Sequence, residues 1–205
     1  MRKISLLISA FLTLSLSSQT THIGKITVDL QNHRISFPAR VNMKEGLVEY
    51  LLCTTWGKLH ESVLATDIHP TNLQTALLLI GLKPGGGLSY QGDTAQPKGD
   101  KVIIWVEWWE EGKQKRYRGE KLVWNKKEEK PLPEMEWVFT GSVHHEKWGF
   151  MAERTGVIIA TYRDPIAIIN NPLPSGTDDT ILFSNKKILP SPGKEVKVII
   201  ERVKI

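Results

Sequence analysis

Lys101-Val102-Ile103-Ile104-Trp105-Val106-Glu107-Trp108-Trp109 is the stretch on which the fold turns. It is dense in β-branched and aromatic residues and reads as one long strand. Side chains alternate across a strand, so Ile104, Val106 and Trp108 share one face while Trp105 and Trp109 share the other. Large rings on both faces mean that one set belongs to a core and the other needs a cover or a ligand, such as a sugar or peptide surface. Glu110-Glu111-Gly112-Lys113 makes a turn, and Gln114 to Arg118 return beside the strand as a hairpin.

Outward from that hairpin the same alternation recurs. Ile26, Val28 and Leu30 alternate with polar residues, Gln31-Asn32-His33 marks a turn, and Ile35, Phe37, Ala39 and Val41 alternate again. Leu47 to Thr54 is apolar enough for a central strand covered on both faces. Trp137-Val138-Phe139, Gly156 to Tyr162, Thr180 to Ser184 and Glu195 to Val203 are further strand candidates. One helix stands among them. It follows Pro70, with Thr71 as its expected cap, and places Leu73, Ala76, Leu77 and Ile80 on one face before Gly81 and Pro84 stop it. Leu78 and Leu79 widen its apolar arc, which predicts packing against a sheet rather than a surface position. The expectation is an α+β, mainly β fold of antiparallel or mixed sheets, with one clear helix over 71–81.

The amino terminus carries a different signal. Met1-Arg2-Lys3 is a basic start, Ile4 to Leu16 is mostly apolar, and Ser15 and Ser17 are the small residues that a signal peptidase reads. Thirteen residues rise only about 20 Å as a helix, short of a hydrocarbon core of about 30 Å. Residues 1–17 are therefore expected to be a signal peptide, 18–205 a single domain, and the protein exported to the periplasm or beyond with no membrane span. Cys53 is the sole cysteine, which excludes an intramolecular disulfide and the four-thiolate zinc and iron–sulfur sites. Its apolar setting predicts a buried, inert thiol. Lys and Arg number 27 against 22 Asp and Glu, too mild an excess to imply nucleic acid. Lys113 to Lys130 alone holds eight Lys/Arg and three Glu; this is either a face toward an anionic surface or a solvated hairpin.

Chemically able side chains crowd between the buried strand and the helix, in Gly57-Lys58-Leu59-His60-Glu61-Ser62. Loops at strand ends are where sites accumulate. Lys58 could hold an anion, His60 could move protons near neutral pH, and Glu61 and Ser62 could bind a metal or hydroxyl. An extended segment would put Lys58, His60 and Ser62 on one face and Glu61 on the other. These groups could equally satisfy one another. Leu64 stands where a zincin helix needs its second histidine, and the adjacent His144-His145 point apart on a strand, so no metal site is expected. Gly85 to Gly92 fits neither a dinucleotide loop, with Tyr90, nor a nucleophile elbow, with Gln91, and reads as a flexible connector. Asn170 to Asp179 is turn chemistry that ends in the carboxylates Asp178 and Asp179.

Gly57-Lys58-Leu59-His60-Glu61-Ser62-Val63-Leu64, followed by Pro70, Leu73, Ala76 to Gly81 and Pro84-Gly85, resembles the signature of the YdjY-like domain family of exported bacterial proteins. Glu49-Tyr50-Leu51, Asn171-Pro172 and Asp178-Asp179 fit more loosely. The resemblance implies export and one domain, and carries no assigned activity; the ferredoxin-like label of some relatives requires ligands that Cys53 alone does not provide. Two functions stay open. One is a non-catalytic binding module for an envelope ligand or protein, with its surface near Lys58, His60, Glu61, Ser62 and the start of the helix, Asp178 and Asp179 as further candidate ligand-binding residues, and no cofactor. The other is a hydrolase with His60 as general base, oriented by Glu61 or Asp179, with or without a metal. Geometry discriminates, because an enzyme needs His60 in a concave pocket within hydrogen-bond reach of a second able group.

Overall fold

The structure is a computed structural model that describes residues 20–203; the expected signal peptide lies outside the described residues. The described residues begin with β1 (Thr20–Ile23), β2 (Ile26–Asp29), β3 (Arg34–Val41) and β4 (Tyr50–Thr54). It continues with β5 (Ser62–Thr66), the helix α1 (Pro70–Leu79), β6 (Lys101–Glu110) and β7 (Lys113–Arg118). Shorter strands follow: β8 (Val123–Asn125), β9 (Lys130–Pro131), β10 (Trp137–Phe139), β11 (His144–His145) and β12 (Gly149–Phe150). The described residues close with α2 (Met151–Thr155), β13 (Val157–Ala160), β14 (Ile169–Asn170), β15 (Leu182–Ser184) and β16 (Glu195–Arg202).

The fold is mainly β, and its sheet closes. The strands run β3-β16-β6-β10-β14-β13-β4-β5, and β5 pairs back onto β3. Eight strands thus form a barrel, a closure that leaves the ring itself without a free edge. The seam is short, with Arg40 opposite Ala65 and Val41 opposite Leu64. Every pairing in the ring is antiparallel except β4–β5 and β13–β14. β1 and β2 extend the sheet beyond β3, and β7 extends it beyond β6.

Register explains the core. Ile35 faces Ile200, which faces Ile104; Phe37 faces Val198, which faces Val106. All six are buried, so the period of two read along each strand becomes continuous apolar rows across three strands. β4 is buried at every position, as a central strand should be. Leu73, Ala76 and Leu77 of α1 join the same core.

Several local expectations change. The cap of α1 is His69 and not Thr71, whose N–H is taken by the Glu153 carboxylate at 3.0 Å. Gly81 has φ +86°, the left-handed stop expected of it. Leu78 and Leu79 are half exposed, so α1 buries one narrow face rather than a wide arc. The short α2 went unread because five residues are too few for periodicity to register. Gly85 to Gly92 is pinned, not loose. Gly86 N–H donates to Thr140 O at 2.9 Å, and a Cβ on Gly85 would stand 2.5 Å from Gly99 N, so the glycines permit close backbone approach.

The β6–β7 turn has positive φ at both central residues, Glu111 (49°) and Gly112 (73°), the twist that suits a tight hairpin. The two tryptophan faces separate as follows. Trp108 is buried and stacks on Tyr117 at 5.2 Å. Trp105 is covered by Arg116, whose guanidinium lies 4.3 Å from the ring centroid, and donates its N–H to Glu201. Trp109 has no such cover and is 62% exposed.

Candidate functional site

β4 and β5 are parallel neighbours, and parallel strands ordinarily need a crossover of about a dozen residues or more. Here residues 55–61 make the return, which forces the loop to run back along β4. Gly57 begins it in tight contact, since a Cβ there would lie 2.8 Å from Gly156 O. Leu59–Glu61 form a 3-10 turn, and Glu61 O accepts the N–H of Glu49 at 2.9 Å. Asn42 Nδ2 ties the loop to the barrel through Leu59 O and Ser62 O.

That 3-10 turn decides which side chains meet. Residues three apart eclipse in it, so Lys58 and Glu61 come together, with Lys58 Nζ 2.9 Å from Glu61 Oε1 and 3.7 Å from Glu49 Oε2. The Lys58 ammonium also stands 5.2 Å from the centroid of the Tyr50 ring. Gln91 Nε2 donates to Glu49 Oε2 at 2.6 Å and to the Tyr50 hydroxyl at 3.2 Å, while that hydroxyl donates to Asp164 Oδ2 at 2.7 Å. Burial and then the Glu61 charge push the Glu49 carboxyl up, against the pull of Lys58. Burial opposes the charge on Lys58, but Glu61 and Glu49 outweigh it and raise the ammonium. The Tyr50 phenol is raised by burial and by Asp164.

The extended arrangement is therefore not formed. His60 points to solvent with its side chain 79% exposed, and its Nε2 is 3.7 Å from Glu61 Oε2, beyond hydrogen-bond reach. Ser62 is fully buried and donates to Leu64 O at 2.8 Å. Asp179 lies close enough for its charge to raise Glu49 and the Tyr162 phenol. Asp178 is spent on a local turn, accepting from the backbone and the hydroxyl of Thr180, which lower its carboxyl. The loop brings together Lys58, Glu61 and, at longer range, Asp179, and leaves His60, Ser62 and Asp178 apart. Burial pushes the Cys53 thiol, beneath the loop, up to about 12. His144 and His145 sit on an exposed hairpin, where His145 stacks on Trp148 at 4.3 Å. Among the described residues no group of His, Cys, Asp or Glu has the arrangement to hold a metal ion.

Sequence reasoning missed the network under this loop. Arg163 is fully buried, and its guanidinium makes six hydrogen bonds to the carbonyls of Asp93, Thr94, Ala95, Asn171, Pro172 and Leu173. Asn170 and Asn171, read as turn residues, are buried connectors; Asn170 links Thr140 to Asp164, and Asn171 donates to Thr161 O. The signal for Arg163-Asp164 is only a charged pair beside an apolar strand, and nothing local names its partners.

A concavity lies elsewhere. A groove of about 880 Å³ crosses β3, β16 and β6 and is flanked by β2 and the end of β5, a volume within the range of ligand sites. Its lining includes Trp109, Gln114, Glu107, Lys197, Lys194 and Lys25, and none of residues 57–62. Lys197 stands opposite Glu107 in register, and Trp109 is two residues along on the same face. Glu107 is held by Arg116 at 3.3 Å and Gln114 at 3.2 Å. Trp109 marks this site in the sequence only as the ring left over when its strand is divided into faces.

Fold and groove together define a closed, mainly β barrel that carries a polar, ligand-sized trough across three of its strands. The chain belongs to the YdjY domain family, whose model matches residues 26–201, from the first residue of β2 to the next-to-last of β16. Neither the curated proteins nor the solved structures yield a match.

Proposed function

We propose that the protein is an exported cell-envelope binding module without catalytic activity of its own, and that its ligand sits in the groove over β3, β16 and β6. The observation that carries this reading is a separation. The one histidine that could serve as general base in the crossover loop is exposed and has no oriented partner, while the concave surface lies over other strands. Glu61, the residue that would have oriented His60, is engaged by Lys58 instead. Export is supported by the basic start, apolar run and small residues of 1–17. No helix among the described residues is long and apolar enough to cross a membrane.

Co-sedimentation with washed bacterial envelopes tests the site. Wild type and His60→Ala are expected to pellet alike, and Trp109→Ala to stay in the supernatant. His60→Ala should also shift stability by less than about 0.5 kcal/mol, as exposed substitutions do. Pelleting that His60→Ala abolishes and Trp109→Ala spares would move the site to the crossover loop. Intact mass of envelope-recovered protein tests export, because retention of Met1 would defeat it.

A further inference from the structure

The groove has a chemistry narrow enough to name its ligand class. Trp109 offers one wall as a bare aromatic face, and an indole ring presents apolar area with a polar edge. Among the described residues Lys25, Lys194 and Lys197 of the lining have no ion-pair partner; of its carboxylates Glu107 and Asp67 are each engaged by an arginine, and Glu195 alone has no ion pair. The unpaired charge facing a ligand is therefore three lysines against one carboxylate, a cationic excess. An extended peptide usually gains its affinity by adding to a free strand edge. That route is closed from Lys197 onward, where β16 is paired by both β3 and β6, and leaves only the two residues Glu195 and Val196, which pair with β3 alone, too short an edge to seat a strand. The groove thus offers a ligand mainly side chains, which suit a flat apolar face against Trp109 and anionic groups spaced toward the lysines.

We infer that the groove binds an acidic oligosaccharide, the C–H face of one sugar ring lying on Trp109 and its carboxylates meeting Lys197, Lys194 and Lys25. The inference rests on the reading of the groove as the ligand site and adds the class of the ligand.

Titration by calorimetry with hexagalacturonate, neutral cellohexaose and hexaglutamate separates the possibilities. Hexagalacturonate is expected to bind, with affinity falling about tenfold in Trp109→Ala, a loss of the size of one aromatic stacking contact. Trp109→Phe should retain most of the affinity, and Lys197→Ala should weaken binding and flatten its salt dependence. Unchanged near-ultraviolet circular dichroism apart from the lost indole checks that the variants fold. Hexaglutamate binding as tightly as hexagalacturonate, cellohexaose binding as tightly, or failure of hexagalacturonate to bind at millimolar concentration would each overturn the assignment. If envelope binding still depends on Trp109 in those cases, only the ligand class fails; if it does not, the groove itself fails.

Discussion

Gly156 shows how little room a single position has where β4 meets the crossover loop. It ends α2 with φ +73°, and a Cβ there would stand 2.1 Å from Thr54 Oγ1 and 2.7 Å from Gly57 Cα. Its carbonyl accepts the Thr54 N–H at 2.7 Å, so the backbone does not shift without breaking β4's edge. Gly156→Ala combines left-handed strain with overpacking and should cost about 2–4 kcal/mol in urea unfolding. Glu153, three residues earlier, acts at a distance. Its carboxylate accepts from Thr71 N–H and Oγ1 at 3.0 Å each and pairs with His69 Nδ1 at 2.7 Å, closing the start of α1 from another helix. Burial raises this carboxyl, but the bonds from His69 and Thr71 outweigh it and hold the group below its usual range. A carboxyl depressed in the folded state contributes stability that is complete above its unfolded pKa, about 4.3, and is lost as pH falls through the folded value. Glu153→Ala should therefore cost about 1 kcal/mol at neutral pH, with the difference from wild type shrinking below about pH 4. A penalty that persisted in acid would show that packing, not the ionised cap, carries the effect.

At the scale of elements, Arg163 joins segments that secondary structure leaves untied. Six carbonyls from 93–95 and 171–173 converge on one guanidinium, and the same residue's backbone accepts from Gly92 and donates to Gly176. Burial depresses its pKa, partly offset by Asp93. Arg163→Met would leave those carbonyls without a donor, and each buried acceptor left unsatisfied costs about 1–3 kcal/mol. Arg163→Lys should recover little, since one ammonium does not reproduce a planar fork. Hydrogen exchange should then accelerate at 89–96 and 172–177 while β3 and β16 stay protected; uniform acceleration would mean the staple supports the barrel as a whole. The same network marks where sequence reading stops. Ile35, Phe37, Ala39 and Val41 announce a strand because the period is written in adjacent residues, and Glu110 to Lys113 announces a turn for the same reason. Lys58 and Glu61 lay within the stretch singled out, but their meeting depends on a 3-10 turn imposed by a short parallel return, which no pattern inside 57–62 records. The carboxylate that closes the start of α1 belongs to Glu153, 84 positions away from His69. Trp109 was visible as a ring without a place, and only the register of β16 against β6 supplies the lysines beside it.

Closure belongs to the whole molecule. β16 lies between β3 and β6, so two of the most extensive ladders in the barrel depend on residues 195–202. β3 and β16 are separated by more than a hundred residues, and the seam between β3 and β5 comprises only two residue pairs. Without β16, Ile35, Phe37, Ile104 and Val106 lose the partners Ile200 and Val198 that connect their rows, and both β3 and β6 expose unpaired edges. A chain truncated after Gly193 should therefore fail to form a smaller barrel. Its expected state is unfolded or aggregated, with collapsed amide dispersion in NMR spectra and no cooperative melting transition. The intact protein, dominated by such non-local pairing, should refold on the millisecond-to-second scale of high-contact-order β proteins rather than in microseconds. Stopped-flow tryptophan fluorescence reads this directly, because Trp108 and Trp137 are buried only in the assembled core. Native-like burial of those rings in the truncated chain would mean that the remaining seven strands close without β16, and that the barrel is not the cooperative unit its pairing describes.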